Sequence, residues 1–114
     1  MKDDLEIAKE AIGSEDYVKA LRIVRPLAEA ENAKAQGYLG FMYQLGLGVN
    51  RNGLEAIKWL QKAADQGDGS AAHNLGTIYL GGMPGIPVDQ DLAKKWYRKA
   101  RDLGFVTANS EWYE

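Results

Sequence analysis

No cysteine occurs among the 114 residues, which excludes disulfides and thiolate metal sites alike. The one histidine, His73, has no H-E-x-x-H spacing and no second ligand near it, so it is read as an exposed or contact residue and not as a metal ligand. An excess of charge is also missing. The 14 basic and 16 acidic residues are well mixed to a net charge of -2, which provides no field for DNA or RNA and no basic amphipathic helix for a membrane surface. No stretch approaches the ~20 apolar residues of a membrane-spanning helix. The opening MKDDLEIAKEAIGSED is charged throughout and lacks the apolar core of a signal peptide, so a cytoplasmic protein is expected. There is no G-x-S-x-G. The glycine-rich LGLGVN lacks the preceding strand, lysine and hydroxyl of a phosphate loop. The acidic pairs Asp3-Asp4 and Glu15-Asp16 fall at helix starts, where capping accounts for them. No catalytic residue, cofactor or metal is expected.

What the chain does contain is a repeat. Leu39, Gly40 and Tyr43 return 36 residues later as Leu75, Gly76 and Tyr79. Ala56, Lys58, Trp59, Lys62, Ala63 and Gly67 return at a spacing of 37 as Ala93, Lys95, Trp96, Lys99, Ala100 and Gly104. Ala20, Ala28 and Ala35 extend the register backwards, so the first stretch is a degenerate copy with Ile23 in the place of the tryptophan. A repeat near this length is a supersecondary unit that buries its apolar face only by stacking on its neighbours. Such stacks make binding surfaces, not catalytic pockets.

Apolar residues at helical spacing predict six helices in three antiparallel hairpins. The first spans about Lys2 to Ile12 and ends at Gly13. Ser14 is the expected cap of the second, which runs to about Ala30 and should kink or break near Arg25 because Pro26 lies inside it. The third runs about Ala33 to Leu45, the fourth about Gly53 to Gln66 with Gly67 at C′, and the fifth Ala71 to Leu80 with Ser70 as cap after an Asp68-Gly69 turn. The sixth, capped by Asp89, runs to about Leu103 and ends at Gly104. The divisions are 1–32, 33–68, 69–104 and a terminal cap, 105–114, in which Trp112 and Tyr113 are expected to fold back over the last repeat or meet a second molecule.

The repeated residues carry packing roles. Gly40 and Gly76 stand mid-helix, where glycine costs about 1 kcal/mol against alanine, and mark contact points with the partner helix. Trp59 and Trp96 are read as wedges between hairpins. Tyr43 and Tyr79 are expected to reach loop carbonyls. Lys58, Lys62, Lys95 and Lys99 form a solvated outer face.

At Leu39, Gly40, Tyr43, Gly46, Gly48, Val49, Lys58, Trp59, Lys62, Ala63, Ala64 and Gly67 the chain resembles the Sel1-like repeat family, a relative of the tetratricopeptide repeats. The resemblance covers about Ala35 to Ala108 well, and Leu5 to Asn32 by register. It departs at Asn52, where the family has aspartate, at Lys99-Ala100-Arg101, and in the longer loop GGMPGIPVD with Pro84 and Pro87. The resemblance implies an all-α superhelix of right-handed twist that serves as an adaptor in protein complexes, with the first helix of each hairpin lining the concave face.

Helical geometry then sends Ala35, Leu39, Met42 and Tyr43 to the core. It leaves Tyr38, Phe41, Gln44 and Leu45, together with His73, Asn74 and Thr77, as the candidate binding surface, since these positions vary between copies. For Thr77 solvent-facing filler is an equal reading. Exposed aromatics such as Tyr38 and Phe41 commonly anchor interfaces. The partner is expected to be a protein or peptide, with no nucleic acid and no membrane, and the chain itself a monomer or weak homodimer. A dedicated immunity-type inhibitor of one toxin or enzyme is the alternative to an adaptor.

Overall fold

The computed structural model describes residues 1–107. It contains the helices α1 (Asp4–Gly13), α2 (Tyr17–Glu29), α3 (Ala33–Leu45), α4 (Gly53–Asp65), α5 (Gly69–Gly81) and α6 (Gln90–Asp102). Among the described residues they pair as three antiparallel hairpins, α1–α2, α3–α4 and α5–α6, stacked in sequence. The fold is the expected all-α helical repeat.

Each helix opens on an Asp or Asn whose side chain accepts a backbone N–H of the first turn, which satisfies a donor that the helix leaves orphaned. The caps are Asp3, Asp16, Asn32, Asn52, Asp68 and Asp89. Two expected caps are thereby corrected. Ser14 is not the cap of α2 but the last residue of the α1 terminus, with its N–H on the Glu10 carbonyl. Ser70 lies in the first turn of α5 and donates its hydroxyl to Asp68 Oδ1 at 2.6 Å. These caps win because one turn motif recurs at the ends of α1, α2 and α4. Gly67 N–H reaches the Ala64 carbonyl and Asp68 N–H the Ala63 carbonyl, which is the Schellman arrangement, and the same residue then caps the next helix. Asp16 and Asn32 close α1 and α2 in the same way. The left-handed position of this motif is held by Gly67 (φ 101°), but at the two earlier joints by Glu15 (φ 63°) and Glu31 (φ 68°).

Pro26 does not end α2. The helix continues to Glu29, and Ala30 N–H bonds the Pro26 carbonyl. The ring is exposed, as is Arg22, whose carbonyl loses its intrahelical donor to the proline, so water can replace what is missing.

The core is built largely from alanines. Ala8, Val24, Ala28, Ala35 and Leu39 receive Trp59 between the first two hairpins. Ala56, Leu60, Ala63, Ala64, Ala71, Leu75 and Ile78 pack between the next two, with Trp96 against them. Both tryptophans therefore act as wedges, although Trp59 is 8% exposed and Trp96 only partly buried. Tyr43 differs from its expected role. Its hydroxyl accepts from Arg25 Nη2 at 3.3 Å, and it is its main-chain carbonyl that closes the loop by accepting Asn52 N–H. The Tyr79 carbonyl does the same for Asp89 N–H. A buried amide strengthens the joint between the first two hairpins: Gln36 donates to the Ala28 carbonyl and Glu31 Oε2, and accepts from Gln66 Nε2 at 2.8 Å.

Candidate partner-binding cleft

The first helices of the three hairpins share one surface. A cavity of about 220 Å³ opens there, lined by Lys9 and Ile12 of α1, by Lys34, Gly37, Tyr38 and Phe41 of α3, by Ser70 and Asn74 of α5, and by Asp68. Tyr38, Phe41 and Asn74 come from one face of each helix, because residues three and four apart stack along a helix side. The two aromatics are half-buried. Burial, and then the charges of Asp68 and Asp3, push the Tyr38 phenol above its usual pKa, so it is a neutral donor at physiological pH.

Asp68 has the most constrained side chain of the cleft. Its Oδ1 caps α5 through Ser70 N–H at 3.0 Å and Ala71 N–H at 3.3 Å. Its Oδ2 is buried and accepts no hydrogen bond, while Lys34 Nζ stands 3.6 Å away. The carboxylate fits only because residue 37 is glycine: a Cβ there would lie 2.9 Å from Oδ2.

The other candidate residues go elsewhere. Gln44 is buried, 8% exposed, and its main-chain carbonyl accepts Arg51 Nε at 3.0 Å. Leu45 is half exposed near the hairpin tip, in the last residue of α3. His73 is not an exposed residue of the cleft. It lies between the rings of Tyr97 and Phe105, with centroids 5.1 and 5.0 Å away, and burial lowers its pKa. Its register explains this. His73 is the counterpart of Gly37 at a spacing of 36, and Phe105 that of Asp68 at 37. One joint pairs a carboxylate with a glycine, and the next pairs two rings. Thr77 leans on the same joint, with Oγ1 3.1 Å from the Tyr97 hydroxyl. Lys9, Ile12, Lys34, Gly37, Asp68 and Ser70 escaped the sequence reading, because only stacking brings α1, α3 and the α4–α5 turn together. The one available signal was that the position of Asp68 is occupied by Asn32 in the preceding copy and by Phe105 in the next.

Among the described residues no three His, Asp or Glu side chains cluster to hold a metal, and no helix is long and apolar enough to cross a membrane. The cavity lies between stacked hairpins and is lined by α1, α3, α5 and Asp68. The family model for the Sel1 repeat matches residues 33–68 and 69–105. The chain belongs to the Sel1 repeat family. Its fold is accordingly a typically non-catalytic scaffold, and Sel1 repeats are generally protein–protein interaction modules. Two solved structures are similar along most of the chain. One is a Sel1 repeat protein from Oxalobacter formigenes, 34% identical with a TM-score of 0.80, where 98% of this chain matches 43% of that one. The other is a protective antigen of uropathogenic Escherichia coli with an SLR fold, 28% identical with a TM-score of 0.83, where 95% of this chain matches 24% of that one. Among curated proteins, cytochrome c oxidase assembly factor 7 of Xenopus tropicalis is 40% identical over 53 residues, 46% of this chain and 23% of that protein. DAP3-binding cell death enhancer 1 of Rattus norvegicus is 36% identical over 64 residues, 56% of this chain and 13% of that protein. The Sel1 chain described here thus spans less than a quarter of these curated relatives.

Proposed function

We propose that this Sel1 protein is an interaction module that holds a segment of a protein partner in the cleft between α1, α3 and α5. The observation that carries the reading is the pair Tyr38 and Phe41. Both are half-buried aromatics at positions the repeat leaves variable, and both line a cavity to which all three hairpins contribute. Aromatic anchors in partly desolvated pockets dominate interface energetics. The name of the rat relative, which denotes a protein that binds another protein, agrees with this reading.

The test is site-specific photocrosslinking. A photoreactive phenylalanine analogue at Phe41 should capture a partner in cells, and one at Lys95 on the outer side of α6 should not. With that partner purified, Tyr38→Ala combined with Phe41→Ala should weaken binding at least roughly thirty-fold, given at least ~2 kcal/mol for truncated anchors and ~1.4 kcal/mol per tenfold. Tyr38 also packs on the cluster around Trp59, so the double variant loses stability as well. Phe41→Ala alone belongs to none of the core clusters and separates binding from folding. Lys95→Glu serves as the outer-face control in preference to Lys58→Glu, because Lys58 pairs with Glu55 and lies over the Trp59 ring. A partner captured from Lys95 and unaffected by Phe41→Ala would overturn the reading.

A further inference from the structure

The Asp68 side chain is 5% exposed, and its Oδ2 has no hydrogen-bond donor. Buried acceptors without donors are rare and costly, and each calls for an explanation. Lys34 Nζ, at 3.6 Å, balances the charge but lies outside hydrogen-bonding distance, on a stem that is itself half exposed. Asp68, Lys34 and Ser70 also line a second cavity, of about 470 Å³, which runs along the α4–α5 turn past Gln66, Gly67 and Phe105. The carboxylate therefore stands where two cavities meet, beside Tyr38 and Phe41. The cap does not require the charge, since Asn32 caps α3 at the same register and the counterpart in the next copy is Phe105.

Resting on the cleft reading above, we propose that the cleft selects a basic side chain of the partner. An arginine or lysine lays its stem on Tyr38 and Phe41 and gives its head group to Asp68 Oδ2, displacing Lys34. An acidic ligand is the poorer match. Lys9 and Lys34 are exposed and already solvated, so pairing them gains little. The buried oxygen, by contrast, gains a donor only from a cation or amide that enters. Aromatic faces favour cations over anions as well. Lys34 is then a resident placeholder, and its removal should help the ligand.

The experiment uses amide NMR spectra of the whole chain and two capped pentapeptides that differ only in a central arginine or glutamate between leucines. The arginine peptide should shift the amides of Gly37, Tyr38, Asp68 and Ser70, and bind about tenfold more tightly than the glutamate peptide. Asp68→Asn keeps the helix cap, since asparagine caps as well as aspartate. It should leave the melting temperature nearly unchanged and abolish the preference. Lys34→Met should raise the affinity for the arginine peptide several-fold. Equal binding of both peptides, a preference that survives Asp68→Asn, or no shift at Asp68 and Ser70 at millimolar arginine peptide would each overturn the proposal. A glutamate peptide that shifts Tyr38 and Phe41 and binds more tightly than the arginine peptide would do so while leaving the cleft itself in place. The cleft itself is decided separately, by the crosslinking at Phe41 and Lys95 and by Phe41→Ala.

Discussion

Gly76 and the Tyr97 ring touch so closely that a methyl group on the glycine would come within 2.7 Å of Cδ1. Gly40 stands in the same relation to Leu60, with Cγ at 2.6 Å and the Leu60 backbone nitrogen at 3.0 Å. Leu60 and Tyr97 are themselves repeat counterparts at a spacing of 37. One small position in the first helix and one large position in the second thus set how closely the helices of a hairpin approach.

Alanine at either glycine gains about 1 kcal/mol of helix propensity and incurs an overpacking cost of about 1–3 kcal/mol. Both variants should be less stable by chemical denaturation, and Gly40→Ala more so, because a backbone atom yields less readily than a ring. A Gly40→Ala chain as stable as the parent would show that the helix pair is not held at this contact.

Trp59 should be the more expensive wedge. Its side chain fills the space between the first two hairpins, and its indole N–H donates to Glu55 Oε2 at 3.2 Å. Trp59→Ala should cost about 3–5 kcal/mol, and the partly buried Trp96 distinctly less. Urea titrations of the two variants would compare them directly, and equal losses would contradict the difference in burial.

The joints offer a test in both directions. Asp16→Ala removes a cap and should cost about 1 kcal/mol, whereas Ser14→Ala should change little. Glu15 holds a left-handed conformation that glycine adopts without strain, so Glu15→Gly should be stabilising by roughly 0.5–1 kcal/mol. Thermal melts of the three variants should rank them in that order, and a Ser14→Ala loss equal to that of Asp16→Ala would restore the serine as cap.

His73 gives the chain a pH dependence of known sign. Burial lowers its pKa below 6.5, so the unfolded chain takes up a proton first as the pH falls. The stability tied to the neutral ring is fully present above about pH 6.5 and declines as the pH falls toward the lowered value in the folded protein. His73→Phe keeps a ring between Tyr97 and Phe105 and removes the titration. Between pH 7 and pH 5.5 its melting temperature should fall less than that of the parent, and an equal fall in both would assign the effect to other groups.

Much of the helical pattern was legible from the chain. Leu39 and Met42 were readable as core because helical periodicity marked them, and Leu75 because it repeats Leu39 in the second copy. Pro26 misled, because a proline rule for helix interiors takes no account of an exposed turn where water can replace the lost bond. Ser14 and Ser70 misled, because serine is a good cap in isolation, whereas here the joint places the residue that ends one helix at the start of the next. The expectations for Trp112 and Tyr113 lie outside the described residues.

The period of 36 to 37 residues by itself determined the hairpins, the stacking order and the role of Gly40 and Gly76 as contact points with the partner helix, because these follow from local patterns that recur along the chain. The cleft was decided only in three dimensions. Tyr38 and Phe41 were nameable, but not the company they keep: Lys9 and Ile12 come from α1, and Asp68 from beyond α4. Likewise nothing local in His73 reveals that it fills, with Phe105, the place that Gly37 leaves open for Asp68. A repeat encodes the contacts that every unit shares. What distinguishes one joint from the next depends on pairs of residues some thirty positions apart, and only the folded stack brings such pairs together.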